Sequence, residues 1–275
     1  MRSKIGGMAA FLVFGGACCA AHLSCSTKRA FEAYVESVET RLRKQHADRE
    51  NYAAVLNVDA AERTQVLRDL RAGGLRVEPV KGGTRQISGG LLHHWQAAAV
   101  VPGGTPAAML ALLRDYGELP RYYAPDVERS RVLSDNGGAA TIALRLRKQT
   151  VVVKLVFDSE YEVRSALDGP NRGYSWSRST HIWQIDRAGT LHERRRGEGE
   201  DDGFLWRLNS YWTFIAVPGG LLVECEAVSL TREMPIGLGW LITPIASDLP
   251  RRSLEFTLTA TRRALTEKAV KGAEQ

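Results

Sequence analysis

The sequence predicts an α+β protein in which a curved antiparallel sheet wraps around one long C-terminal helix. Three observations carry this expectation. Phe204–Val217 and Leu221–Leu230 read as two long strands joined by Pro218-Gly219-Gly220. From about Ser247 to Glu267 the chain reads as one amphipathic helix. Between Val127 and Ile185 it gives strands with short connections and no alternating βαβ units, which argues against a parallel doubly wound sheet. A sheet this long beneath one helix must curl or leave a face bare, and curling leaves a hollow between the two.

The elements follow in order. Residues 1–25 have the layout of an export signal: Arg2 and Lys4 start it, Met8–Phe14 is a short apolar run, and small residues follow. The run is far below the ~20 residues a bilayer span needs. Ala17-Cys18 and Ser24-Cys25 each place a small residue before a cysteine, which gives a second outcome: membrane association through a lipidated N-terminal cysteine. Residues 26–87 are expected to form an accessory helical segment and linker, with a helix over Phe31–His46 that turns Glu36, Glu39 and Arg43 outward and a short strand over Leu75–Val80 between glycine pairs.

The regular domain is expected over 88–268. Leu91–Val101 reads as a strand ended by Pro102-Gly103-Gly104. Thr105-Pro106 then caps a helix whose apolar face is Met109, Leu110, Leu112, Leu113 and Tyr116. Val127–Leu133, Thr141–Arg147, Val151–Arg164 and Tyr174–Ile185 read as strands, the first two separated by the turn signal Asp135-Asn136-Gly137-Gly138. Asp186–Asp202 is a charged, solvated loop, and residues 269–275 read as a tail. In the last helix, Ser247 is the expected cap and Pro250 falls in the first turn.

Composition excludes several classes. The 275 residues carry a formal net charge of +6, but without Arg2 and Lys4 there are 35 basic against 31 acidic side chains, or +4. The charges are scattered, and no GxGxxG, helix-turn-helix or paired-cysteine zinc spacing occurs. Nucleic acid is therefore not an expected partner, and no cofactor or metal is implied. Three of the four cysteines lie at positions 18, 19 and 25, so the domain has no disulfide framework; Cys225 reads as a buried thiol.

The element order, Gly104-Thr105-Pro106 opening the helix, Leu113-x-x-Tyr116 and Tyr122-Tyr123-x-Pro125 resemble the START-like (SRPBCC) helix-grip superfamily of lipid-transfer domains, polyketide cyclases, aromatases and hormone-binding proteins. Gly89–Trp95, Phe204–Trp212 and Pro235–Trp240 look like an exported bacterial subgroup of it. The resemblance covers about 89–267. It implies a deep apolar pocket between the concave sheet and the final helix, and it brings no catalytic motif.

Aromatic side chains are the strongest local signal. Phe204, Trp206, Trp212 and Phe214 share one strand parity, and Trp176 and Trp183 fall on opposite faces of theirs. Such residues fill a core or line a ligand-contacting wall, where ring N–H groups orient a ligand. The expected ligand-binding residues are Trp206, Trp212, Phe214, Arg178, Trp240 and Leu258, with no catalytic or metal-binding set.

Glu224 and Glu226 lie roughly 7 Å apart on one strand face, a spacing near that of glycosidase carboxylates; the alternation around them favours a solvated, outward pair. Arg178 or Arg207 would pair with them across the ladder, or grip an anionic head group if turned inward. His93 and His94 point to opposite sides, so they cannot share a metal; one surface imidazole and one hydrogen-bonded one are expected.

The expected function is an exported, periplasmic or outer-envelope, non-catalytic carrier of a hydrophobic small molecule such as a lipid or polycyclic compound. Two alternatives stand beside it. One is a cyclase-, aromatase- or hydrolase-like enzyme that turns Glu224, Glu226, His181 or Arg178 into the pocket. The other is an envelope structural or interaction module.

Overall fold

The computed structural model describes residues 23–149, 154–197, 199–232 and 239–273, with side chains of the last helix described over 249–268. The expected export signal lies outside these residues up to position 22, as does most of Pro235–Trp240.

One antiparallel sheet organises the chain. Its strands are β1 (Arg76–Ile87), β2 (Gly90–Pro102), β3 (Val127–Asp135), β4 (Ala139–Gln149), β5 (Lys154–Leu167), β6 (Arg172–Asp186), the short β7 (Arg194–Arg195), β8 (Arg207–Val217) and β9 (Gly220–Arg232). Their spatial order is β1-β2-β9-β8-β6-β5-β4-β3, with β7 paired to β6. The Pro218-Gly219-Gly220 turn sets the β8–β9 register, in which Trp212 faces Cys225 and Ser210 faces Ala227.

Helices cover both faces. The inner face carries α5 (Gly239–Ala273), α3 (Pro106–Arg114) and the short α4 (Leu119–Tyr122). Thr105 caps α3 by accepting from the Ala108 N–H, and proline opens the helix as expected. The outer face carries α1 (Cys25–Ala47), a 3-10 turn at Ala54–Leu56 and α2 (Ala60–Arg71). Phe31, Tyr34, Val35, Val38 and Leu42 form the buried face of α1 and pack on Leu92, Tyr211, Val228 and Leu230. The curved sheet gripping a terminal helix is the predicted α+β architecture.

Four expectations change. The terminal helix begins at Gly239 rather than Ser247, so Ser247 is not its cap, and it continues to Ala273 through most of the expected tail. The short strand expected over Leu75–Val80 continues through the expected linker as β1, which extends the sheet by pairing with β2 from Arg76 to Ile87 around a bulge between Pro79 and Thr84. Glu39 does not point to water: it pairs with Arg178 and accepts from the Tyr211 hydroxyl at 3.0 Å. Trp176 and Trp183 share the outer face, because Thr180 is bulged out of the β5–β6 ladder and the parity flips between them.

Candidate functional site

Small side chains make the site. Along the inner face of β6, β8 and β9, the inward positions next to Trp212 are Ser175, Ser177, Ser210, Ala227 and Ser229. Residues of that size cannot reach α5, so the sheet and helix enclose a cavity of about 600 Å³. Its far wall is Ile142, Leu144 and Leu146 of β4, its roof is Leu254, Phe256 and Thr257 of α5, and Leu113, Tyr116 and Leu119 close one end. The predicted inward face of β4 thus becomes cavity wall.

The expected ligand-binding residues separate. Trp212 lines the cavity. Phe214 and Leu258 are buried in the same inner core, but their side chains pack within it rather than on the open volume. Trp206 moves to the opposite layer: strand parity breaks ahead of Arg207, the Trp206 N–H bonds to the Leu230 carbonyl, and its indole donates to Asp201 at 2.8 Å beside the α1 cluster. Arg178 also faces outward, held by Glu39 of α1. Trp240 stands in the first turn of α5, and its side chain lies outside the described residues. Phe204, partly exposed, lines the cavity together with Leu205.

Glu224 and Glu226 are not a solvated pair. Both are buried on the outer face, under a layer of chain that strand alternation alone does not reveal. Glu224 accepts from the Ala54 N–H at 2.9 Å, from the Val55 N–H, and from Gln96 at 3.2 Å, which anchors the 3-10 turn. Burial pushes its pKa up to about 7 despite those donors. Burial acts on Glu226 in the same direction, but the His94 hydrogen bond and the Arg41 charge outweigh it and hold that carboxyl below the usual range. On its other side the His94 ring meets the Tyr34 hydroxyl at 2.6 Å.

Both adjacent histidines are buried, so the expected surface imidazole is absent. Their side chains do point to opposite faces. His93 lies on the cavity side between the hydroxyls of Thr84 and Thr231, each at 3.0 Å, and burial lowers its pKa to about 4. His46 of α1, stacked between Tyr52 and Tyr174, is lowered to about 4 by the same cause. His181 is exposed, stacked on Trp183. None of Glu224, Glu226, His181 and Arg178 lines the cavity, so the acid–base chemistry considered for them has no access to its contents. Among the described residues no group of three or more His, Cys, Asp and Glu side chains is placed to hold a metal ion.

These burials set an acid-side pH dependence. His93 and His46 have folded pKa values near 4 against 6.5 for the free side chain. The unfolded chain binds their protons first, so their contribution is full above pH 6.5 and is lost as pH falls towards 4, by about 3 kcal/mol each. Glu224, with its pKa raised from 4.5 to about 7, works in the opposite sense and gains stability over pH 7 to 4.5. Two groups against one leave a net loss on acidification. Urea midpoints measured from pH 7.5 to 4 are expected to fall; a rise would refute the assignment of neutral buried imidazoles.

The strand order, the curl of the sheet and α5 lying across its inner face over an open cavity decide the architecture. The fold is of the helix-grip type. Solved structures similar to this one include the STAR-related lipid transfer protein from Xanthomonas axonopodis, at 18% identity over 70% of this chain and 99% of that one, with a TM-score of 0.44. The Zhui aromatase/cyclase from Streptomyces sp. R1128 is 12% identical over 66% and 94% of the two chains, with a TM-score of 0.42. Human STARD10 is 8% identical over 80% and 86%, with a TM-score of 0.43. The helix-grip assignment rests on strand order and helix placement. No protein-family model and no curated protein matches the sequence.

Sequence reasoning did not find His93, Ser177 and Ser229 as cavity residues. Ser210 shares the strand parity of Trp212, and following that face across the β8–β9 register would have found Ala227.

Proposed function

We propose that the protein is an exported, non-catalytic carrier of a hydrophobic small molecule, a lipid or polycyclic compound, held between the sheet and α5. The observation that carries this reading is the cavity of about 600 Å³ walled mainly by apolar side chains, leucine above all. That size lies in the range of small-molecule sites, and such walls supply affinity through apolar burial. Export is inferred from the basic start and short apolar run of residues 1–14.

Solvent extraction of protein purified from the cell envelope, followed by mass spectrometry, tests the reading; a specific co-purifying hydrophobic compound is the expected result. The oxygen-free fluorescent probe 1,6-diphenyl-1,3,5-hexatriene provides a second readout, since its emission rises on entering an apolar site. Ala227→Phe places a ring in the open volume opposite Ser210 and is expected to weaken probe binding by at least about tenfold while the protein stays folded. Unchanged probe binding by the folded variant would place the probe elsewhere and count against the cavity.

A further inference from the structure

The cavity is apolar in most of its wall, yet one band across its sheet side is not. Thr84, His93 and Thr231 form a hydrogen-bonded row on β1, β2 and β9. Ser229 lies opposite His93 in the ladder, and the band continues to Ser210 and Ser177, whose hydroxyls meet at 2.9 Å. All six residues line the cavity.

The band holds no net charge. His93 is neutral, because burial lowers its pKa to about 4 and threonine hydroxyls occupy both ring nitrogens. The ionic side chains at the cavity stand in its partly exposed margin and come with opposite charges: Lys148 pairs with Asp126, and Asp202 sits with Arg196 and within the field of Arg232. The band itself, built of hydroxyls and one imidazole, offers an ion no countercharge, and desolvating an ion against it costs several kcal/mol. Hydroxyl groups both donate and accept, so they match neutral carbonyl and hydroxyl oxygens.

We infer that the ligand is an uncharged, oxygenated ring or chain compound that lays an edge bearing hydroxyl or carbonyl groups along the Thr84–Ser177 band. This rests on the carrier reading above and narrows it: charged amphiphiles such as fatty acids are excluded from the interior, and plain hydrocarbons enter without using the band.

Three compounds with one ring skeleton test it on the full chain at pH 6, by displacement of diphenylhexatriene. They are 1,8-dihydroxyanthraquinone, anthracene and anthraquinone-2-sulfonate. The neutral dihydroxy compound is expected to compete at least about tenfold better than either other. Ser177→Ala with Ser210→Ala removes both members of one hydroxyl pair, leaves neither partner orphaned, and is expected to weaken the dihydroxy compound by roughly tenfold while leaving diphenylhexatriene unchanged. If diphenylhexatriene binds but the sulfonate competes as well as or better than the dihydroxy compound, or the double variant changes nothing, this inference is wrong and the carrier reading stands. If diphenylhexatriene itself fails to bind, both fall.

Discussion

Glu226→Ala is expected to lower unfolding stability by about 1–3 kcal/mol at pH 7, the usual effect of leaving a buried polar group without its hydrogen-bond partner. The carboxylate is 5% exposed and satisfies two partners from two layers, His94 on β2 and Arg41 on α1. Arg41 is 40% exposed and recovers water when the carboxylate goes; His94, at 2%, does not. The loss therefore falls on the His94 Nε2, whose buried partner is gone while Nδ1 keeps the Tyr34 hydroxyl, and on the seat of α1. Glu226→Gln preserves shape and is expected to keep part of the stability. Urea unfolding of the three proteins checks this, and an alanine variant with an unmoved midpoint would show that the network contributes nothing to stability.

Phe214→Ala is expected to cost about 3–5 kcal/mol, through the transfer of a buried ring and the void it leaves. Phe214 is 0% exposed. Its ring lies over Gly173 on the neighbouring strand, where an added Cβ would come within 2.5 Å of it, so the slot is shaped by an absent side chain. Because Phe214 sits behind the cavity wall, diphenylhexatriene affinity is expected to persist in the folded fraction. Calorimetry with probe titration separates the two effects. Stability near the parent value would mean that the core closes around the missing ring.

The parts of the fold that were legible in the sequence are those with local signals. The β8–β9 hairpin, the capped α3 and the inward face Ile142, Leu144 and Leu146 all follow from turn residues and period-two alternation. What was not legible depends on which layer lies over which face. Leu222, Glu224 and Glu226 have the pattern of a solvated face, but α1 and the 3-10 turn cover it, so both faces of β9 are buried. Single irregularities had the same effect: a bulge at Thr180 put Trp183 with Trp176, and the break before Arg207 moved Trp206 away from the cavity. Only the first half of β1 was legible, as a short strand over Leu75–Val80, because Pro79, Gly82 and Gly83 interrupt the alternation beyond it. Arg178, expected to bind ligand or to pair with Glu224 or Glu226 across the ladder, pairs instead with Glu39 of the N-terminal helix, which no local signal shows.

The seat of α1 carries a consequence for synthesis. Arg41 and Glu226 are 185 residues apart, and the Ala54 N–H is 170 residues from Glu224. A ribosome releasing on the order of 5–20 residues per second delivers the second partner about ten to forty seconds after the first. Throughout that interval the apolar stripe of α1 has no sheet to lie on, and closing so long a loop is entropically unfavourable until β9 is in place. An outer layer of the finished molecule is thus the first to be made yet cannot dock until β9 exists, which leaves its greasy face open to any chaperone that meets the nascent chain.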